Sequence, residues 1–275
     1  MSGIGRERLS LNTATVKEKW GLAQAIEGCQ RHGLGGIAPW RDVLQEMGVA
    51  KAARAIKAAE LRVSGLCRGG WYTAEGALTQ GVLDDNRRAV DEAAEIGAEC
   101  LVMVVGGLPE GSRDIDGARV IVEEGLANTL EYARESGVKV AIEPLHPMYA
   151  GDRACVNTLR QALDMCDRLG EGIGAAVDVY HVWWEHDVKE QMARAGKDRL
   201  LAFHICDWLV PTRDLLTDRG MMGDGVVDIP DLRAAAEAAG FDGLCEVEIF
   251  SAQNWWTRDP DEVLETIIER GRTAC

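Results

Sequence analysis

The chain has 275 residues, enough for two domains or one large α/β domain, and its 47% apolar content suffices for a sizeable core. A net charge of −15 argues against nucleic acid or an anionic membrane surface as a partner, and no apolar run is long enough to span a bilayer. The eight cysteines are scattered through apolar segments without a Cys-x-x-Cys pair, and the first residues lack the apolar stretch of a signal peptide; reduced core thiols in a cytoplasmic protein are expected.

Residues 9–16 alternate apolar with polar and predict a first strand. Residues 17–32 then carry Trp20, Leu22, Ala25 and Ile26 at helical spacing, closed by Gly33. A short strand is expected at 36–40, one long helix at 42–60, and a third strand at 61–66 running into Cys67, Arg68, Gly69 and Gly70. Residues 84–96 predict a helix, 99–105 a strand ending at Gly106 and Gly107, and a helix rich in Ala, Val and Leu follows up to Ser136. The fifth strand lies in 139–148, where the apolar run Val140, Ala141, Ile142 meets Glu143 and is cut off by Pro144, which cannot continue a central ladder. A helix at 157–169 with Asn157 as its cap, a strand at 174–179, a helix at 188–195 and a strand at 200–205 come next. After a loop at 207–228, Pro230 opens a helix; the eighth strand is expected at 244–250 and the final helix at 259–272. Eight strand–helix units without a linker predict a single (β/α)8 barrel over residues 1–275. An open doubly wound sheet is disfavoured, because no Gly-x-Gly-x-x-Gly follows the first strand and the polar candidates spread over many strands.

In such barrels the active site lies at the C-terminal strand ends. Those ends carry Glu143 on strand five, Asp178 on six, His204 on seven and Glu248 on eight, each set in an apolar run that draws it inward. Any one of them could be a strand-end group paired with a nearby arginine; four on consecutive strands are hard to explain that way. Three carboxylates in one partly buried mouth repel and desolvate badly, and a divalent cation is the natural compensation. Oxygen donors with one imidazole suit Mn²⁺ first, with Mg²⁺, Co²⁺ and Zn²⁺ as alternatives. Glu246, two residues before Glu248 and on the same face, competes for the eighth-strand role.

The chain resembles the xylose-isomerase-like barrels, the sugar phosphate isomerase/epimerase group with its inosose isomerases and ketose 3-epimerases. The resemblance is carried by Glu143-Pro144, Asp178-Val179-Tyr180-His181, His204-Ile205-Cys206-Asp207, the Gly223-Asp224-Gly225-Val226-Val227-Asp228 loop and Glu248-Ile249-Phe250. It implies one divalent metal held by Glu143, Asp178, His204 and Glu248, with Glu248 favoured over Glu246. It also implies substrate contacts from His181, a position near the site for Arg219, and acid–base roles for Glu143 and Glu248. The implied reaction is isomerisation or epimerisation of a sugar, keto-sugar or polyol through a metal-stabilised enediolate.

Further groups are expected at the mouth. His146 is placed as an acid–base catalyst, and Tyr149, Arg153 and Asp207 as substrate contacts. Trp183, with Trp184 and Trp208, is expected to form a flat apolar wall. Trp255 and Trp256 are assigned to a subunit contact, and Met221 and Met222 to packing. The extra groups raise an alternative from the same family, a lyase or hydrolase cleaving 3-keto-glycosides with a small partner subunit. A non-catalytic sugar-binding barrel is a third reading, which the presence of all four ligands disfavours. The expected partners are a small sugar or keto-glycoside and a second copy of the chain, with no nucleic acid and no membrane.

Overall fold

In the computed structural model, which describes residues 3–275, short strands alternate with longer helices. The order is β1 (Leu9–Asn12), α1 (Leu22–His32), β2 (Gly36–Ala38), α2 (Arg41–Met47), α3 (Val49–Ala58), β3 (Arg62–Val63), β4 (Leu66–Gly70), α4 (Gln80–Ile96), β5 (Leu101–Val104), α5 (Ile115–Glu135), β6 (Val140–Ile142), α6 (Leu159–Leu169), β7 (Ile173–Asp178), α7 (Val179–Val182), α8 (Val188–Arg199), β8 (Leu200–Ile205), β9 (Asp207–Trp208), β10 (Arg219–Gly220), α9 (Ile229–Ala238), β11 (Cys245–Val247) and α10 (Pro260–Thr273). Nine strands pair in the order β3-β2-β1-β11-β8-β7-β6-β5-β4, all parallel. A bridge between Trp40 and Cys67, with the Cys67 N–H donating to the Pro39 carbonyl at 3.1 Å, joins the two ends into a ring. β3 and β4 thus share the third strand position of a single (β/α)8 barrel.

Side-chain alternation explains why the ring carries its polar groups inward. Cys100, Val102, Ala141, Ala176 and Ala202 form one small apolar cluster, while their neighbours Leu101, Ile142, Val177 and Phe203 join the large cluster beneath the helices. With a strand period of two, Glu143, Asp178 and His204 lie on the same face as Ala141, Ala176 and Ala202. The small residues leave room inside the ring, and the ionisable ones sit one layer above them.

Several boundaries differ from the sequence expectation. The first strand stops at Asn12, because the Asn12 side chain accepts from Ala14 N (2.9 Å) and turns the chain into a 3₁₀ segment. The helix expected over 42–60 is two, α2 and α3, separated at Gly48, whose φ of 87° no helix accommodates. Asn157 is not the cap of α6. Thr158 is, accepting from Gln161 N at 3.1 Å, while the Asn157 amide donates to the Leu145 and Ala154 carbonyls and pins the loop after β6. The eight cysteines are free and buried, and no described helix is long and apolar enough to cross a membrane.

Candidate active site

Glu143 follows the last residue of β6, Asp178 ends β7, His204 lies near the end of β8 and Glu248 follows β11. These strands are adjacent in the ring, and register sets His204 opposite Asp178 on one side and Glu246 on the other. One donor atom from each of Glu143, Asp178, His204 and Glu248 lies within 4.8 Å of the others, and all four residues are buried. At such spacing each carboxylate pair repels by about 4 kcal/mol at an effective dielectric of ~20. Neither His204 ring nitrogen makes a hydrogen bond, although Nδ1 stands 3.2 Å from Glu143 Oε1. Two donors sharing an ion at ~2.1 Å each would stand roughly 3.0–3.4 Å apart. A buried imidazole set among carboxylates, close to Glu143 and Glu246 but without hydrogen-bond geometry to either, is a donor set that suits a divalent cation, and these residues fit one.

Electrostatics of the cluster follow from burial and neighbours. Burial, together with the charges of Glu143 and Asp178, pushes the Glu248 carboxyl up to about 8 against the pull of Arg219. Burial acts on Asp178 in the same sense, but Arg219, His181 and His204 outweigh it and hold that carboxyl below its ordinary range. Burial works to lower His204 as well, yet the carboxylates of Glu246, Glu143 and Glu248 raise its imidazole well above the usual value.

Arg219 enters from β10, which pairs antiparallel with β9 over the barrel mouth. Its Nη1 donates to Asp178 Oδ2 (2.8 Å) and Glu248 Oε2 (3.0 Å), and its guanidinium packs between the rings of Tyr180 and Phe250. His181 Nδ1 accepts from the His146 backbone N–H at 3.3 Å, while its Nε2 lies 3.3 Å from the donor Arg219 Nη2 and 3.6 Å from Asp178 Oδ2. Burial holds this imidazole down to about 3, so it is neutral.

Glu246 lies below the cluster. Its carboxylate accepts from Asn12 Nδ2 and Ser64 Oγ, both at 2.7 Å, and stands 3.6 Å from His204 Nε2. Asn12 also donates to Glu248 Oε1 at 3.0 Å and accepts from Trp40 Nε1 at 2.9 Å. Sequence reasoning missed Asn12 and Ser64. The only available signal was the polar residue at the inward position of each early strand, where serine and asparagine look unremarkable.

A cavity of about 230 Å³ opens above the cluster, and Glu143 and Glu248 lie in its wall with His181, Arg219, Tyr149 and Arg153. The aromatic wall differs from the expected one. Trp40 and Phe250 line the cavity with Tyr149, whereas Trp183 does not. Trp183 packs instead on Trp208, and Trp208 on Tyr180. His146 is also absent from the cavity wall. The 3₁₀ turn that follows it draws the ring back, Nδ1 accepting from Met148 N at 3.2 Å, and the ring packs against Trp184 and Trp208. Asp207 is turned into the loop. Its oxygens accept from the backbone N–H groups of Trp208, Gly223, Gly225 and Val227 at 2.8–3.0 Å, so it organises the glycine loop. Tyr149 presents its ring to the cavity while its hydroxyl donates to Leu215 O at 2.6 Å. Trp255 and Trp256 are buried within the chain, Trp256 donating to Ala14 O at 2.8 Å, and so are not surface residues available for a subunit contact; Met221 and Met222 are wholly buried, as packing residues should be.

The family profile described as Xylose isomerase-like TIM barrel matches residues 26–272. Inosose isomerase of Bacillus licheniformis is 23% identical over 282 residues, covering 95% of this chain and 95% of the relative. The crystal structure of protein SMc04130 from Sinorhizobium meliloti 1021 superposes with a TM-score of 0.96 at 59% identity, over 98% of each chain. The structure of IolI protein with a bound zinc atom has a TM-score of 0.79 at 20% identity over 95% of each chain, a likeness of fold. The chain therefore belongs to the xylose isomerase-like TIM-barrel family.

Proposed function

We propose that this protein is a divalent-metal-dependent isomerase or epimerase that moves a proton next to a carbonyl of a sugar, keto-sugar or polyol. The observation that carries this reading is the buried group of Glu143, Asp178, His204 and Glu248, each offering a donor atom within 4.8 Å of the others. Those four residues would hold one ion, Mn²⁺ first, with Mg²⁺, Co²⁺ and Zn²⁺ as alternatives. When bound, such an ion stabilises negative charge on substrate oxygens as an adjacent C–H proton is lost. The relationship to inosose isomerase and the zinc in the IolI fold relative agree with a metal-assisted isomerisation.

Within the chain, Glu143 and Glu248 occupy the two ends of the four-strand arc and so approach a substrate from different sides. One takes the proton and the other returns it, which inverts or relocates a centre. Both carboxyl groups line the cavity, where each can reach a proton of a bound substrate. Arg219 positions Glu248, Asp178 and the neutral His181, whose ring lines the cavity where a substrate oxygen would sit.

The cavity volume of about 230 Å³ lies below the ~300–1,000 Å³ typical of drug-sized ligands, which favours a substrate of monosaccharide size over a glycoside with a bulky aglycone. His146 and Trp183, which had suggested glycoside cleavage, lie outside the cavity wall. The test is incubation with Mn²⁺ and a panel of ketoses and inososes in D2O. Deuterium appearing on the carbon beside the carbonyl, with no fragment released, is the expected result. Release of an aglycone from 3-keto-glycosides, without exchange into any sugar, would overturn it.

A further inference from the structure

The acidic floor of the cavity faces a group of cations that none of the chemistry above uses. Arg68, at the inner end of the third strand position, and Arg153, in the loop after β6, both line the cavity, with Lys17 beside them. This is unexpected in a chain of net charge −15. Among the described residues Arg68 has no carboxylate partner; its guanidinium lies over Trp71 at 4.5 Å and Trp40 at 5.5 Å, and its Nη1 is buried without a hydrogen bond. Arg153 Nε is likewise buried without a hydrogen bond. Among the described residues that Nε pairs only with the exposed Asp152, at 3.6 Å, and the guanidinium lies 5.6 Å from the Tyr149 ring centre. Lys17 Nζ stands 4.2 Å from the Trp256 ring centre, again without a carboxylate. Burial, and the Arg153 charge that opposes it, lower the Arg68 guanidinium from its ordinary value.

The two arginines repel each other at one cavity wall; Arg68 is held by aromatic faces and keeps a buried Nη1 without a hydrogen bond, and Arg153 has a long contact to the exposed Asp152, so both can serve a ligand that brings its own negative charge. A guanidinium fork matches an oxyanion with two or more oxygens, carboxylate or phosphate, and is worth most where water is excluded. We infer that the substrate of this site carries an oxyanion group, bound by Arg68 and Arg153 with Lys17 at the rim, while its carbonyl end meets Glu143 and Glu248. This names a substrate class, sugar acids or sugar phosphates, and rests on the proton-transfer reading of the same site. It also accounts for the segregation of charge: the anionic end of the molecule is kept from the carboxylates that must handle its proton.

The test is calorimetric binding to the full chain, metal-free and loaded with Mn²⁺. The probes are D-glucuronate for a carboxylate, D-fructose 6-phosphate for a phosphate and D-fructose as the uncharged control. At least one acid is expected to bind wild-type protein about tenfold or more tightly than D-fructose, in the metal-free state as well, and the better acid names the group. Arg68→Gln and Arg153→Gln are each expected to weaken that acid about tenfold or more while leaving D-fructose unchanged. Their melting midpoints and Mn²⁺ stoichiometry should stay at wild-type values, which shows that the variants fold and keep the ion site. Absence of binding by both acids at millimolar concentration, equal affinity for D-fructose, or undiminished acid binding in both variants overturns the inference. Retained Mn²⁺ in that case leaves the proton-transfer reading standing, whereas wild-type protein that takes up no Mn²⁺ removes both.

Discussion

Round the mouth of the ring, the arc from β6 to β11 brings Glu143, Asp178, His204 and Glu248 to consecutive strand ends, all buried within 4.8 Å of one another. The opposite arc, from β1 to β4, brings Asn12, Trp40, Ser64 and Arg68, which are neutral or cationic. The two arcs meet through Asn12, which donates to Glu246 and Glu248 and receives the Trp40 indole. The difference teaches how a barrel of uniform strands acquires a polarity across its mouth. One side concentrates like charge, which Arg219 relieves in part and a metal cation would relieve further. The other supplies neutral donors to that charge and free cations to a ligand.

The largest effect that could break this division is expected in the acidic arc. Glu143→Gln should lower the rate of substrate deuterium exchange by roughly 10²–10⁴-fold, the range for loss of an acid–base group. A fall of less than about tenfold would remove Glu143 from the chemistry. The loop that carries Arg219 over the arc gives the next effect. Asp207→Ala strips four backbone N–H groups of a charged acceptor and should cost on the order of 3 kcal/mol, read as a lower urea midpoint. An unchanged midpoint would mean that the glycine loop holds itself.

Glu185 sharpens the same point through pH. It is buried beyond the acidic arc, accepts from Leu159 N at 3.0 Å, and burial raises its carboxyl to about 7 from 4.5. A raised acid means that the folded state holds the extra proton, so the stability it contributes is lost as pH rises from about 4.5 to about 7 and stays lost above. Glu185→Gln should match wild type near pH 5 and exceed it by about 2–3 kcal/mol at pH 8, measured as the difference in thermal stability. Parallel pH curves would contradict this. The smallest expected effect lies between the arcs: Glu246→Gln should weaken Mn²⁺ binding by about 10–100-fold without abolishing it, as for groups that orient a ligand rather than bind the ion.

The eight strand positions and the four inward ionisable residues were legible in the sequence because each interrupts an apolar β-type run, and such interruptions are costly unless used. The preference for Glu248 over Glu246 rests on the family resemblance and the apolar Ile249 and Phe250 that follow it; in the structure Glu246 accepts from Asn12 and Ser64, while Glu248 lies with Glu143, Asp178 and His204 within 4.8 Å. Loop residues were not legible to the same degree. His146, Trp183 and Asp207 all follow strand ends and look alike in sequence, yet each is turned aside by a local contact: a backbone N–H for His146, another indole for Trp183, and a nest of loop amides for Asp207. Trp40, Arg68 and Phe250 meet at the cavity through non-local contacts, Trp40 bridging to Cys67 and its ring packing on Phe250, which no local pattern encodes.

The most direct measurement is the metal content of protein purified without chelator, alongside His204→Ala and Arg68→Gln. About one divalent ion per chain, lost in His204→Ala and kept in Arg68→Gln, is the predicted result. Wild-type protein that holds no ion, even after Mn²⁺ is offered, would contradict the account of the acidic arc as a metal site.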